Sequence, residues 1–318
     1  MRTLLTNLRI PSGGNHCAPR EILTVNGKIA EITEPARGSR EGDVEVVDLE
    51  GCLLLPGVID GHVHFDDPGF THREDFHTGT RAAAAGGVTC VVDMPCTSLP
   101  PVTTASNLRK KLSSIESKAL VDFMLWGGVS DNALEDPGWR ENLAALVELG
   151  VSSIKLYMLS GMDTFRDLSR TQIEEVLREA RVLGIPVGVH AEDGAMVRKL
   201  EARLRAEGED DLRAYAASRP ELVEVSAVET LRDLSRTTGA RVHVVHLASG
   251  RGLDVVAEAH AEGIPLSAET CPHFLEFTLE DLEAQGSLLK TAPVVKTTWD
   301  RDRLWEGLRL SLIHISEP

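Results

Sequence analysis

Pro56-Gly-Val-Ile-Asp-Gly-His-Val-His-Phe65 carries two histidines, His62 and His64, two residues apart at the end of an apolar segment. Alternate side chains of a strand share one face, so both imidazoles point to one place, as a metal site requires. The run before them, Cys52-Leu-Leu-Leu-Pro-Gly-Val-Ile59, reads as an apolar strand entering a core. A His-x-His pair by itself is a weak sign of metal. Its weight depends on what else the chain brings to the same place.

Three further segments have the same form, an apolar strand with a metal-competent side chain near its C-terminal end. Val151-Ser-Ser-Ile-Lys-Leu-Tyr-Met158 carries Lys155, Ile185-Pro-Val-Gly-Val-His-Ala-Glu192 carries His190, and Arg241-Val-His-Val-Val-His-Leu-Ala248 carries His246. Each follows a helix-like stretch and a short turn containing Gly150, Gly184 or Gly239. That is the pattern of repeated β-α units around a parallel sheet. In a (β/α)8 TIM barrel the C-terminal strand ends converge on one face, where active sites are built. An α/β fold of this type is therefore expected, with strands near 54–60, 88–94, 121–129, 151–158, 185–191, 241–248 and 265–271.

Composition limits the alternatives. The 318 residues carry 49 acidic and 33 basic side chains, a formal charge of −16, which argues against nucleic acid and anionic membranes as partners. No run of 18 apolar residues and no signal-peptide pattern occurs, so a cytoplasmic, soluble chain is expected. The five cysteines, Cys17, Cys52, Cys90, Cys96 and Cys271, form no CxxC pair and read as reduced thiols, with Cys52 and Cys90 in the core. Residues 1–54 differ from the rest: Glu21 to Thr33 reads as two strands joined at Asn26-Gly27, a favoured hairpin dipeptide, and Val44 to Leu55 supplies another strand. The Glu207 to Asp211 run reads as a solvated helix end.

The chain resembles a cyclic amidohydrolase of the amidohydrolase superfamily, the group that holds dihydroorotases, allantoinases and hydantoinases. The resemblance rests on Pro56 to Phe65, Phe76 to Thr89, Asp93-Met-Pro95, Lys155, Val189 to Glu192, Val245 to Ser249 and Glu269-Thr-Cys-Pro-His273, in that order. It implies a centre of two divalent metal ions, usually zinc, with His62 and His64 on one and His190 and His246 on the other. Lys155 would bridge them as a carbamate formed with carbon dioxide. A bridging water between two cations loses much of its proton affinity and becomes a nucleophile near neutral pH. It would open a ring amide, and an aspartate at the end of the eighth strand would serve as general base. Cytoplasmic homo-oligomers, dimers or tetramers, are also implied.

The sequence as it stands lacks that aspartate at the matching place, so the general base is expected beyond the end of this chain. After Trp299 to Leu308 the chain reads Arg309-Leu-Ser-Leu-Ile-His-Ile-Ser-Glu-Pro318. Leu310 to Pro318 resembles the in-frame translation of a transposon-end sequencing adapter, so residues 310–318 are expected to be a non-native tail and His314 no ligand. Residues 55–309 are long enough for a barrel, which takes about 250, yet the count gives only seven strands; the eighth is expected to be missing and the chain incomplete, since seven strands leave two unpaired edges in a core that should close. Residues 1–54 would be half of a small β-sandwich whose other half follows the barrel in the family.

Other residues carry weaker readings. His243 has the parity opposite to His246 and should point outward; His72 and His77 read as solvated; Glu192 reads as an orienting partner of His190. Asp66, Ser98, Cys271 and His273 are the candidate substrate contacts. Dihydroorotases place an arginine where Asp66 stands, to hold an anionic substrate, and D-type hydantoinases a tyrosine where Ser160 stands, with Tyr157 nearby. The runs Thr78 to Gly87, Asp93 to Ser98, Ala217 to Pro220 and Cys271 to His273 resemble allantoinases best. The favoured activity is hydrolysis of a small neutral cyclic ureide, allantoin to allantoate, with dihydroorotase or hydantoinase chemistry as the alternative. An inactive dihydroorotase-like scaffold is the reading of another class; retention of all five ligand positions favours the enzyme.

Overall fold

Four strands form the N-terminal sheet: β1 (Arg2–Pro11), β2 (Cys17–Val25), β3 (Lys28–Thr33) and β4 (Glu45–Asp48). Their order is β3-β2-β1-β4, with β1 antiparallel to β2 and parallel to β4. Val25 pairs with Lys28 across a two-residue turn in which Asn26 and Gly27 both take positive φ, 52° and 76°. Only a turn of that hand matches the twist of the strands it joins, and only residues such as Asn and Gly enter it cheaply. Leu4, Leu8, Ile22 and Leu23 are buried, while Ile29, Ile32 and Val46 are exposed. The computed structural model describes residues 1–35 and 43–315; within it this unit spans Met1–Val58 and holds one sheet, among the described residues, where half of a sandwich is expected.

The second unit begins at Ile59 and contains the strands that carry the site. They are β5 (Val58–Val63), β6 (Val88–Asp93), β7 (Asp122–Leu125), β8 (Gly127–Gly128), β9 (Ile154–Tyr157), β10 (Val187–His190), β11 (Val242–Val244), β12 (Leu266–Thr270) and β13 (His314–Ile315). Neighbours follow chain order, β5-β6-β7 and then β8 through β13, the order a barrel requires. Pairing is parallel from β8 to β13 and between β6 and β7. The strand expected over 121–129 is broken at Trp126, whose N–H donates to Asp93 O at 3.0 Å while Gly127 N–H donates to Ser153 O at 2.9 Å. One segment thus pairs with β6 and the next with β9. No pairing joins β13 to β5 among the described residues, so the ring of hydrogen bonds is not closed.

Helices cover the outer face of these strands. The helix Arg170–Leu183 shows how the sequence specifies them: Ser169 and Gln172 form a capping box at its start, and Gly184, at φ 71°, ends it. It buries Ile173, Val176, Leu177 and Ala180, one stripe at helical spacing. Each large aliphatic chain removed from water there contributes about 1.5–3 kcal/mol.

Two expectations are corrected. The segment 52–59 is not a buried strand: β5 starts at Val58, and Leu53, Leu55, Val58 and Ile59 are each about half exposed or more (47%, 57%, 54% and 67%). Pro56-Gly57 interrupts the extended run, and only the end of β5, at His62 and Val63, enters the interior. Cys52 is exposed for the same reason, and Cys90 is only partly covered. Within the segment 310–318, His314 and Ile315 pair in parallel with Glu269 and Thr270; residues 316–318 lie outside the described residues.

Candidate metal centre

Strand register decides which side chains meet. Lys155 pairs with Gly188, Gly188 with His243, and His243 with Ser267, so these four positions share the inner face at one level. Two residues further on, Tyr157, His190 and Glu269 stand on the same face. His62 reaches this face from β5, for its Nδ1 lies 2.5 Å from Glu269 Oε1. Beneath them a second apolar cluster of Val92, Met94, Cys96, Trp126, Tyr157, Phe165 and Val245 fills the interior. Gly188 gives it room: a Cβ there would meet the Trp126 ring at 2.2 Å.

His246 arrives differently. β11 ends at Val244, and His246 takes a left-handed backbone, φ 44°. Parity counted from His246 therefore fails for His243. It lies on the inner face, with Nδ1 2.8 Å from Ser267 Oγ and Nε2 3.2 Å from Glu269 Oε2, and the outward placement expected from sequence is wrong.

The four imidazoles form two pairs around Lys155. His62 Nε2 lies 3.3 Å from His64 Nε2, and His190 Nδ1 lies 3.1 Å from His246 Nε2. The His62 and His246 rings are 5.5 Å apart, which brings the pairs together. No three His, Cys, Asp or Glu side chains converge on one cation position among the described residues, so each pair needs a further ligand. Lys155 is fully buried, its Nζ has no hydrogen-bond partner and lies 4.9 Å from the Tyr157 ring centre. Burial lowers its amine to about 8 against the opposing pull of Cys96, Glu269 and Cys271. A buried amine without a partner is costly. A carbamate, with two anionic oxygens, would supply what both pairs lack, and the residues fit a two-cation centre on this ground.

The imidazoles are held in the form a cation needs. Burial first, then neighbouring charge, lowers His62 to about 4 and places His64 and His246 well below the usual histidine range, leaving them neutral with a free lone pair. On three of the four rings the nitrogen that faces away is engaged: His62 Nδ1 with Glu269, His64 Nδ1 with Thr97 Oγ1 at 3.2 Å, and His190 Nε2 with Glu192 Oε2 at 2.8 Å; His246 Nδ1 is buried without a partner. Tyr157 stacks on His190 at 5.1 Å and lies 3.1 Å from Cys96 Sγ through its hydroxyl.

A cavity of about 680 Å³ opens above the imidazoles, walled by Thr97, Tyr157, Met162, Arg219, His273 and Thr291 among others. Of the candidate substrate contacts only His273 lines it, with Nε2 buried and without a partner. Ser98 is buried behind it and accepts a hydrogen bond from Lys111 at 2.6 Å; Lys111 also pairs with the buried Asp93. Cys271 is wholly buried. Asp66, at φ 43°, lies outside the lining, and burial raises its carboxyl despite the opposing hydrogen bond from Thr97. Arg219 is the one lysine or arginine among the described lining residues, and its charge is taken up by Glu201 at 2.9 Å and Glu192 at 3.8 Å. Glu192 is the one carboxylate among the described lining residues.

Sequence reasoning assigned no role to Glu269, Thr97 or Arg219. Glu269 was within reach, since it stands two residues from Ser267 on a strand whose end enters the site; Thr97 and Arg219 sit on loops that carry no periodicity.

The amidohydrolase family pattern matches residues 53–282. The chain is 39% identical over 285 residues to an allantoinase of Deinococcus radiodurans, covering 89% of this chain and 62% of that protein. It is 36% identical over 305 residues to an allantoinase of Bacillus velezensis, covering 96% and 65%. Among solved structures, an L-hydantoinase (dihydropyrimidinase) from Arthrobacter aurescens superposes with a TM-score of 0.90 at 29% identity, over 99% of this chain and 68% of that one. The chain thus spans less than two thirds of the length of these allantoinases. From the matched span and these identities, the chain belongs to the amidohydrolase family.

Proposed function

We propose that this protein hydrolyses the ring amide of a small neutral cyclic ureide, allantoin to allantoate, at a centre of two divalent cations, zinc by preference. The observation that carries this reading is the meeting of His62, His64, His190 and His246 around the partnerless, buried Lys155. His62 and His64 would hold one cation, His190 and His246 the other, and Lys155, carboxylated, both. Such cations, when bound, polarise a carbonyl oxygen and lower the pKa of water.

The chain's own groups do the rest. Glu269, Thr97 and Glu192 hold the imidazoles in fixed orientations, which limits reorganisation at the site. Tyr157, Met162 and Phe274 present apolar surface to a planar ring and exclude bulk water. His273, neutral because burial lowers its imidazole, offers Nε2 to a polar edge of that ring. With Arg219 neutralised by two glutamates, no lysine or arginine among the described lining residues is left uncompensated for an anionic substrate, which favours a neutral ureide over dihydroorotate. The likeness to solved structures named as hydantoinases keeps simple hydantoins as the second reading. Cytoplasmic location and homo-oligomeric assembly belong to the same proposal. No helix among the described residues is long and apolar enough to cross a membrane.

The test is an assay of the zinc-loaded full-length protein on allantoin, dihydroorotate and hydantoin. Allantoin should be opened fastest, and chelation should abolish turnover. Faster turnover of dihydroorotate would overturn the reading.

A further inference from the structure

Glu269 belongs to β12, yet it touches the first histidine of β5 and the inward histidine of β11. Its two oxygens are divided between them. Oε1 lies 2.5 Å from His62 Nδ1 and Oε2 lies 3.2 Å from His243 Nε2, and the carboxylate side chain is 9% exposed. His243 is oriented in turn by the Ser267 hydroxyl, 2.8 Å from its Nδ1. A carboxylate only accepts, so both imidazoles must donate to it, and with both oxygens engaged its rotamer is fixed.

We propose that Glu269 is a positioning residue that fixes His62 as the Nδ1–H tautomer, so that Nε2 is the one atom His62 can offer to a cation. The inference rests on the reading of His62 as a metal ligand. The geometry on the far side of the ring agrees: Nε2 is the nitrogen that faces His64, at 3.3 Å. His190 is set in the opposite sense. Its Nε2 donates to Glu192 at 2.8 Å and its Nδ1 faces His246 at 3.1 Å. His62 would therefore offer Nε2 and His190 Nδ1, each nitrogen selected by a buried carboxylate on the far side of its ring. Glu269 has a second task that Glu192 lacks. Glu192 is two residues from its histidine, whereas Glu269 comes from another strand, across the side where no strand pairing closes the sheet among the described residues. It ties β12 to β5 through the ligand itself.

The experiment uses the full-length protein and its Glu269→Ala and Glu269→Gln variants. Nitrogen-15 NMR of the histidine side chains, with His62 assigned by a His62→Gln variant, reads the tautomer in the metal-free state. Wild type should show His62 protonated on Nδ1, and Glu269→Ala should show averaging between tautomers. Zinc titration against a chromophoric chelator should show one of two ions bound about 10- to 100-fold more weakly in Glu269→Ala, with Glu269→Gln, whose carbonyl accepts the same N–H, recovering part of the loss. An Nε2–H tautomer in the wild type, or unchanged affinity for both ions in a folded Glu269→Ala, overturns the proposal. Should wild type take up no zinc, the metal reading fails, and the tautomer still decides the role of Glu269. If Glu269→Ala does not fold, the wild-type and Glu269→Gln spectra decide it.

Discussion

A methyl group added at Gly188 tests the packing beneath the site. The new Cβ would stand 2.2 Å from Trp126 Cζ3, 2.4 Å from Cη2 and 3.2 Å from Val245 Cγ1. Carbon atoms in contact prefer about 3.5–4.0 Å, so the overlap with two ring atoms exceeds about 1 Å. Neither side yields easily: β10 is paired on both edges, and Trp126 is wedged against Tyr157, Phe165 and Val245. Overpacking costs about 1–3 kcal/mol, and an overlap of this size places Gly188→Ala near the top, about 3 kcal/mol. The melting temperature should fall by about 6–12 °C, at about 2–4 °C per kcal/mol for a domain of this size. Circular dichroism and urea titration read this without any substrate. The same change made in a Trp126→Leu background should cost much less, with a coupling above about 1 kcal/mol. A Gly188→Ala loss below about 0.5 kcal/mol, or additivity in the cycle, would refute the packing described.

Lys155→Ala should lose activity and most of the bound metal, measured by atomic absorption after gel filtration; full loading without added short carboxylic acids would refute a carbamate bridge. Lys111→Met leaves the fully buried Asp93 carboxyl without its counter-charge, and urea unfolding should show a loss of about 3–5 kcal/mol, smaller when Asp93→Asn is added. Burial holds the His273 imidazole below 6.5, so the unfolded chain takes up that proton first; its contribution to stability is complete above pH 6.5 and is lost as pH falls. An NMR titration midpoint at or above 6.5 for His273 would contradict this.

The strands and their order were legible because each carries a short apolar run bounded by a helix and a positive-φ glycine such as Gly184 or Gly239. The convergence of His62, Lys155, His190 and His246 followed from their places at strand ends. What was not legible depends on local geometry. Parity assigned His243 to the wrong face because His246 lies beyond the end of β11, where alternation no longer holds. The break at Trp126 arises because successive residues pair with different neighbours, β6 and then β9, a choice with no mark in composition. Ser98, taken from its allantoinase-like run, and Cys271, taken from its place at a strand end, were candidate substrate contacts, yet Lys111 and the core claim them. Hydrophobicity alone suggested that residues 52–59 enter a core, but what covers a side chain is decided by its neighbours in space.

The backbone at His246 bears on how this protein can be engineered. An L-residue held in the left-handed region carries a cost of about 1–2 kcal/mol, which glycine avoids and asparagine reduces. His246 Nδ1 is, in addition, buried without a partner. Heat-challenge libraries of this chain would therefore enrich Gly or Asn at position 246, and survivors would combine higher melting temperatures with an impaired centre. Endurance and competence pull in opposite directions at this one residue, so any screen for robustness has to score metal content alongside survival.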